Sequence, residues 1–240
     1  MRVIQNDKYI KNRRRLGRYA FFAGFGILIL GLILSFTSTN DPQRSLELFP
    51  VSFACLVVGL VLSQMGGYYV RRFDRGEVPF LALPKALKGF DDRYTLINYR
   101  LGASHVLLAP DAVYVLVPKA QNGKITYTNG RWRNPTGLRR LLTWMSEEGL
   151  GNPARDAAVE VARFQRFVQK NVPDDAGRAA IEAQPIVVFL HPNAEVDAGG
   201  SPVPAVHVKK LKDFLRGRPK GTLSREARES LDRILAPAAS

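Results

Sequence analysis

The chain has 240 residues, of which 46% are hydrophobic and 23% are charged, and this composition excludes a disordered or fibrous protein. The single cysteine, Cys55, excludes an internal disulfide and a cysteine-based zinc site, and the three scattered histidines do not suggest a histidine-rich metal site. Most of the net charge of +14 comes from the two ends: residues 1–18 hold seven Lys/Arg and one Asp, and residues 209–240 hold nine Lys/Arg and four Asp/Glu.

Two uncharged runs follow the basic N-terminal segment, from Tyr19 to Asn40 and from Leu48 to Val70. Each meets the roughly 20 apolar residues that a helix needs to cross a bilayer. A buried helix of a soluble protein and a cleaved signal peptide are the alternatives, but the second run would still anchor a processed chain. We therefore expect transmembrane helices over residues 19–36 and 48–70. The short polar connection with Asp41-Pro42 predicts an antiparallel hairpin. Small residues recur at four-residue spacing, which favours close helix packing in lipid: Ala20/Gly24, Gly31/Ser35, Gly59/Ser63 and Ser63/Gly67.

The distribution of Lys and Arg predicts the orientation of the hairpin. Basic clusters precede the first run and follow the second, whereas the connection between the runs holds only Arg44. By the positive-inside rule both flanks face the cytoplasm, which predicts a two-span protein of the cell inner membrane with both termini inside. The expected divisions are a basic cytoplasmic tail (1–18), a transmembrane hairpin (19–70), a cytoplasmic domain (71–217) and a C-terminal helix and tail (218–240).

The remainder of the chain alternates strand and helix signals. A short helix interrupted at Pro84 comes first, and strands and longer helices then follow one another. This order predicts a mixed α/β sheet protein with flanking helices. The expected helices are 77–88, 137–149, 153–171 (opened by Asn152-Pro153), 209–217 and a last one capped by Ser224. The expected strands are 93–101, 106–109, 113–117, one within 123–133 with an Asn129-Gly130 turn, 185–190 and 204–208.

The stretch Ser104–Lys119 lies at the centre of this order, and the order resembles that of the nuclease-related domain (NERD) family, over about residues 76–217. The resemblance rests on seven features: the Pro110-Asp111 turn, Tyr114, Lys119, Asn122–Ile125, Trp132, Asn152-Pro153 and Val187–Phe189. It implies a restriction-endonuclease-like fold with a metal site formed by an Asp, a Glu and a Lys. Lys119 matches the family's lysine, and Glu77 is a further candidate because Gly76-Glu77 matches a Gly-Glu pair in the family's first helix.

The departures from the family pattern concern the metal ligands. Ser104 stands at the family's Asp, Val117 at its Glu, and Asp156 where the family usually has Gln. Mg²⁺ prefers carboxylate oxygens, so a site reduced to Ser104, Val117 and Lys119 lacks the expected ligands. The nearby Asp111 lies at the far end of the hairpin, about 20 Å from Lys119 at roughly 3.3 Å per residue.

The expectation is therefore a bacterial-type, membrane-anchored pseudoenzyme that binds or scaffolds at the cytoplasmic membrane face, with no metal and no cofactor. Its expected partners are the lipid bilayer and, through the basic tails, nucleic acid or anionic lipid; a protein partner is not identified. Two alternatives stay open. One is a metal-dependent nuclease with a rearranged Mg²⁺ site, and the other is nucleic-acid binding without cleavage.

Overall fold

The computed structural model describes residues 1–37, 42–74, 78–135, 149–173, 178, 180–219, 221 and 223–235. The chain divides into two compact units. One unit is helical and comprises Asp7–Val78. The other combines Met1–Asn6 with Pro79–Ser240 and contains the sheets. Glu77 and the expected helix at 137–149 lie outside the described residues.

The helical unit consists of α1 (Asp7–Thr37) and α2 (Pro42–Phe73). Both helices are long and apolar enough to cross a membrane. Only 17% and 11% of their most apolar 18-residue windows are buried, whereas a core helix of a soluble protein buries most of such a window. Large apolar side chains such as Phe22, Phe36 and Leu46 are instead exposed along the pair. The two apolar helices expected from sequence are confirmed, and α1 begins twelve residues before the uncharged run.

Glycines allow α1 and α2 to approach closely. They recur every seven residues on α1 (Gly17, Gly24, Gly31) and again on α2 (Gly59, Gly66). A Cβ added at any of these five positions would come within 3 Å of the facing helix, and at Gly24 and Gly66 it would meet facing backbone atoms. The four-residue pair Ala20/Gly24 is buried as expected, but the main repeat is seven. A seven-residue repeat keeps one seam in register along two helices that cross at a shallow angle.

A six-stranded mixed sheet organises the other unit, in the order β1-β2-β3-β4-β7-β9. Neighbours β2, β3 and β4 are antiparallel, whereas β1 runs parallel to β2, and β7 and β9 run parallel to β4. A second sheet has the order β6-β5-β8. The strands are β1 (Arg2–Gln5), β2 (Thr95–Leu101), β3 (Ala103–Leu108), β4 (Val113–Lys119), β5 (Gly123–Thr128), β6 (Arg131–Arg133), β7 (Ala183–Phe189), β8 (Ala194–Asp197) and β9 (Ala205–His207).

Helices cover both faces of the large sheet. On one face α4 (Pro153–Asn171) and α6 (Arg225–Leu235) contribute Ala157, Phe164 and Leu231 to a core shared with Val106 and Val115. On the other face α3 (Pro79–Ala86) and α5 (Leu211–Arg216) pack on the alternate side chains of the same strands, including Leu107 and Leu116. The expected mixed α/β sheet with flanking helices is confirmed, as is the hairpin of β3 and β4 under the Pro153–Asn171 helix.

The N-terminus differs from expectation. The sequence predicts a tail over residues 1–18, but Arg2–Gln5 form β1, paired with Thr95–Asn98 of β2, and α1 begins at Asp7. The Met1 ammonium group also donates hydrogen bonds to the Phe90 carbonyl and to Asp92 Oδ1, both at 2.9 Å. Two apolar residues, Val3 and Ile4, are too few to predict a strand from local sequence. The pairing depends on β2, about 90 residues later in the chain.

Candidate functional site

Lys119 is the last residue of β4, where the strand meets the N-terminal part of α4. Its ammonium group lies 2.5 Å from Asp156 Oδ2 and 3.4 Å from the Leu150 carbonyl oxygen. The Lys119 side chain is 13% exposed, whereas that of Asp156 is 47% exposed. The charge of Lys119, the lysine that matches the family pattern, is therefore neutralised by the Asp156 carboxylate of the neighbouring helix. That carboxylate is partly open to solvent, whereas the Lys119 side chain is much less so.

Ser104 lies near the start of β3, and its backbone N–H donates a hydrogen bond to Glu160 Oε2 at 2.7 Å. The other carboxylate oxygen of Glu160 accepts from Arg163 Nη1, also at 2.7 Å. The Glu160 side chain is only 11% exposed, so both of its oxygens are bound inside a largely dry site. A buried carboxylate needs partners of this kind to offset the loss of hydration.

Asp156 and Glu160 are four residues apart on α4, so they occupy the same face one helical turn apart. This face is also the one that carries Ala157 and Phe164 into the core. We call the five residues Ser104, Lys119, Asp156, Glu160 and Arg163 the Lys119 cluster. The strand ends supply a backbone N–H and a lysine, and α4 supplies two carboxylates and an arginine, so the cluster has no net charge.

The start of α4 is fixed locally, and this positions the carboxylates. The Asn152 side chain accepts hydrogen bonds from the backbone N–H groups of Ala154 and Arg155, and Pro153 occupies the first turn. Asn caps the free N–H groups of a first turn well, and the fixed φ of Pro suits this position. Asp156 follows in that turn, where the helix dipole favours a negative charge.

Val117 does not face an open position. It is 5% exposed and belongs to the same core as Val115 and Phe189. Because Val117 and Lys119 are two residues apart on one strand, their side chains point to the same face of the sheet, toward α4. The position that carries Glu in the family pattern is therefore occupied by a core side chain.

Three further carboxylates of the α/β unit, Asp91, Asp92 and Asp111, are engaged elsewhere. Asp111 lies in the turn at the opposite end of β4, where its Oδ2 accepts from the Gly221 N–H at 3.1 Å. Asp91 binds Arg93, and Asp92 binds the N-terminal ammonium group. Glu77 lies outside the described residues.

Glu160 was missed by the sequence analysis. The available signal was a carboxylate between Ala157 and Phe164 on the core-facing side of a helix, one turn after Asp156. A charged residue at such a position needs a buried partner. The partner here is a backbone N–H of β3, which no pattern of side chains reveals.

A hard divalent cation does not fit the Lys119 cluster as it stands. Within the described part of the chain, no group of three or more His, Cys, Asp or Glu residues is placed to hold a metal ion. The two carboxylates present are each bound to a cation of the protein, Asp156 to Lys119 and Glu160 to Arg163. Mg²⁺ would have to displace these contacts to gain anionic oxygen ligands.

Comparison of the chain with protein-family models, with curated proteins and with solved structures finds no match.

Proposed function

We propose that the protein is anchored in the cell inner membrane by α1 and α2, and that its α/β unit is a NERD-like, restriction-endonuclease-like domain that binds or scaffolds at the cytoplasmic face without cleaving nucleic acid. The mixed sheet with helices on both faces, and Lys119 at the end of a central strand beside α4, agree with this assignment. The single observation that carries the non-catalytic proposal is the internal neutralisation of the Lys119 cluster.

The chemistry of that neutralisation supports a non-catalytic role. Phosphodiester hydrolysis in a metal-dependent nuclease needs an ion that activates water and stabilises charge on the phosphate. Here Lys119 is bound to Asp156, and the N–H of Ser104 is bound to Glu160. Lys119 is thus held away from an incoming phosphate, and the two carboxylates balance protein cations.

Chain connectivity supports the topology. β1 precedes α1 directly, and α3 follows α2 closely, yet β1 and α3 belong to the same unit. A strand and a helix of one folded unit occupy one compartment, so the two spans must leave and return on the same side. The Lys and Arg residues that flank both uncharged runs favour the cytoplasm as that side.

The first test is plasmid nicking by the full-length protein in detergent, with Mg²⁺ or Mn²⁺. The full chain is needed because a fragment from residue 71 onward would lack β1. We expect no metal-dependent nicking above that of a Lys119→Ala control. Nicking by the unmodified protein that disappears in this control would overturn the proposal.

The rearranged nuclease is the second candidate, and the spacing of Asp156 and Glu160 favours it. Two carboxylates one turn apart beside a lysine could serve as ligands if their ion pairs opened. Asp156→Asn and Glu160→Gln separate the candidates, because each removes a negative charge with little change of shape. Loss of nicking in both variants would identify a nuclease, and retention of plasmid binding without nicking would favour a nucleic-acid-binding role.

A further inference from the structure

A cleft of about 680 Å³ lies between α1 and α2 at the end of the hairpin that carries arginines. Its lining combines cations, one anion and apolar surface: Arg18, Phe21, Phe22, Val70, Arg71 and Asp74. These residues all belong to the helical unit. Within the described residues, the cleft is therefore formed by α1, α2 and Asp74, which directly follows α2.

The lining changes from charged to apolar along the hairpin. Arg18 immediately precedes the first uncharged run, and Arg71 immediately follows the second. Phe22 is four residues from Arg18 on α1, which places it about 6 Å deeper at 1.5 Å per residue. The charged end of the cleft thus lies at the expected membrane boundary and the apolar end inside the expected hydrocarbon. A phospholipid changes from headgroup to acyl chain over the same interval.

The charged end has a surplus of positive charge. Asp74, only 7% exposed, accepts hydrogen bonds from Arg14 Nε at 2.5 Å and from Arg18 Nε and Nη2 at 2.6 and 2.9 Å. One carboxylate therefore holds two guanidinium groups in fixed positions, and Arg71 adds a third. The three arginines exceed the one aspartate by two charges.

Arg71 is positioned to bind an acceptor in the cleft. Its Nε is buried and has no hydrogen-bond partner in the part of the chain that the structure describes. A buried donor without a partner costs free energy that a suitable acceptor would recover. A Cβ added at Gly67 would lie 3.4 Å from Arg71 Nη1, so the guanidinium group folds back over Gly67 toward the apolar end. Because Gly67 has no side chain, the space that the Arg71 guanidinium group occupies next to it stays free.

We infer that the cleft binds the headgroup of an anionic phospholipid, with the phosphate between Arg18 and Arg71 and the upper acyl chain against Phe21 and Phe22. Phosphate oxygens accept charge-assisted hydrogen bonds from guanidinium groups. The surplus of two positive charges favours a lipid with net negative charge over a zwitterionic one. This inference rests on the proposed insertion of α1 and α2 in a membrane.

The test is native mass spectrometry of the full-length protein in detergent, titrated with phosphatidylglycerol or with phosphatidylcholine. We expect preferential binding of phosphatidylglycerol and about a fivefold loss of its affinity in Arg71→Gln. Arg72→Gln is the matched control, since it removes the same charge one residue away. Arg72 donates to the Tyr68 hydroxyl at 2.9 Å and does not line the cleft. Gly67→Leu should fill the cleft and also reduce binding, while keeping every charge.

Three outcomes would overturn the inference. Equal losses in Arg71→Gln and Arg72→Gln would indicate attraction by the general basic surface. Equal affinity for the two lipids would contradict the assignment of an anionic headgroup. Displacement of the lipid by soluble glycerol phosphate would identify a site for free phosphate.

Carbonate extraction of membranes carrying each variant tests membrane insertion separately from lipid binding. Release of the unmodified protein by carbonate would refute membrane insertion itself.

Discussion

Glu160 shows how one residue of the α/β unit connects the core to the candidate site. It occupies a core-facing position of α4, yet its side chain is charged and bound to the Ser104 N–H and to Arg163. Truncating one partner of a buried hydrogen bond leaves the other unsatisfied, whereas an uncharged residue of the same shape can keep part of the bonding. The contacts of Glu160 therefore give different expectations for its Ala and Gln variants.

We expect Glu160→Ala to lower the free energy of unfolding of the α/β unit by about 1–3 kcal/mol, because the part-buried Ser104 N–H loses this acceptor. Glu160→Gln should cost less, since its amide oxygen can still accept that hydrogen bond. Urea titration of the full-length protein in detergent, followed by tryptophan fluorescence, measures this difference, because Trp132 lies in this unit and the sequence of the helical unit, residues 7–78, contains no tryptophan. Equal stability of the two variants would mean that the contact with Ser104 contributes little.

At the scale of secondary-structure elements, features that depend on neighbouring residues could be predicted from the sequence, whereas contacts between distant parts of the chain could not. The start of the Pro153–Asn171 helix was predictable because Asn152 and Pro153 act within one turn. The β3–β4 hairpin was predictable because its turn and both apolar runs are adjacent. β1 was missed because its pairing with β2 crosses the whole hairpin. Asp156 was noted as a departure from the family pattern, but its contact with Lys119 needs the three-dimensional packing of α4.

The seven-residue glycine repeat gives a prediction at the same scale. A leucine at Gly66 would place its Cβ against the backbone of Phe21 on α1. Overpacking of this kind costs about 1–3 kcal/mol, and here helix backbone rather than a flexible side chain must move. We expect Gly66→Leu to lower the thermal transition of the hairpin, measured by far-ultraviolet circular dichroism in detergent. Gly26→Leu is the control, because a Cβ there meets nothing within 4 Å, and an equal effect of both changes would exclude seam packing as the cause.

The connectivity of the whole molecule constrains the proposed placement of α1 and α2 in a membrane. The α/β unit is assembled from chain segments on both sides of the hairpin, because β1 and β2 pair along four residues. A chain with one span, or with a cleaved first helix, would separate β1 from the rest of the sheet. The proposed insertion of both helices and the folding of the sheet would therefore be linked, since the sheet is complete only when an even number of spans returns the chain to its starting side.

Cysteine labelling of spheroplasts tests this topology directly. In a Cys55→Ser background, single cysteines replace Lys11 near the start of α1, Glu47 near the start of the second uncharged run, or Arg225 in α6; all three native residues are exposed. We expect a membrane-impermeant maleimide to label Glu47→Cys, and to label Lys11→Cys and Arg225→Cys only after the membrane is permeabilised. The reason is that, in the proposed topology, the shared sheet places both ends of the hairpin on one side of the membrane, and the basic flanks favour the cytoplasm as that side. Labelling of Lys11→Cys and Arg225→Cys on opposite sides would contradict both the two-span topology and the pairing of β1 with β2.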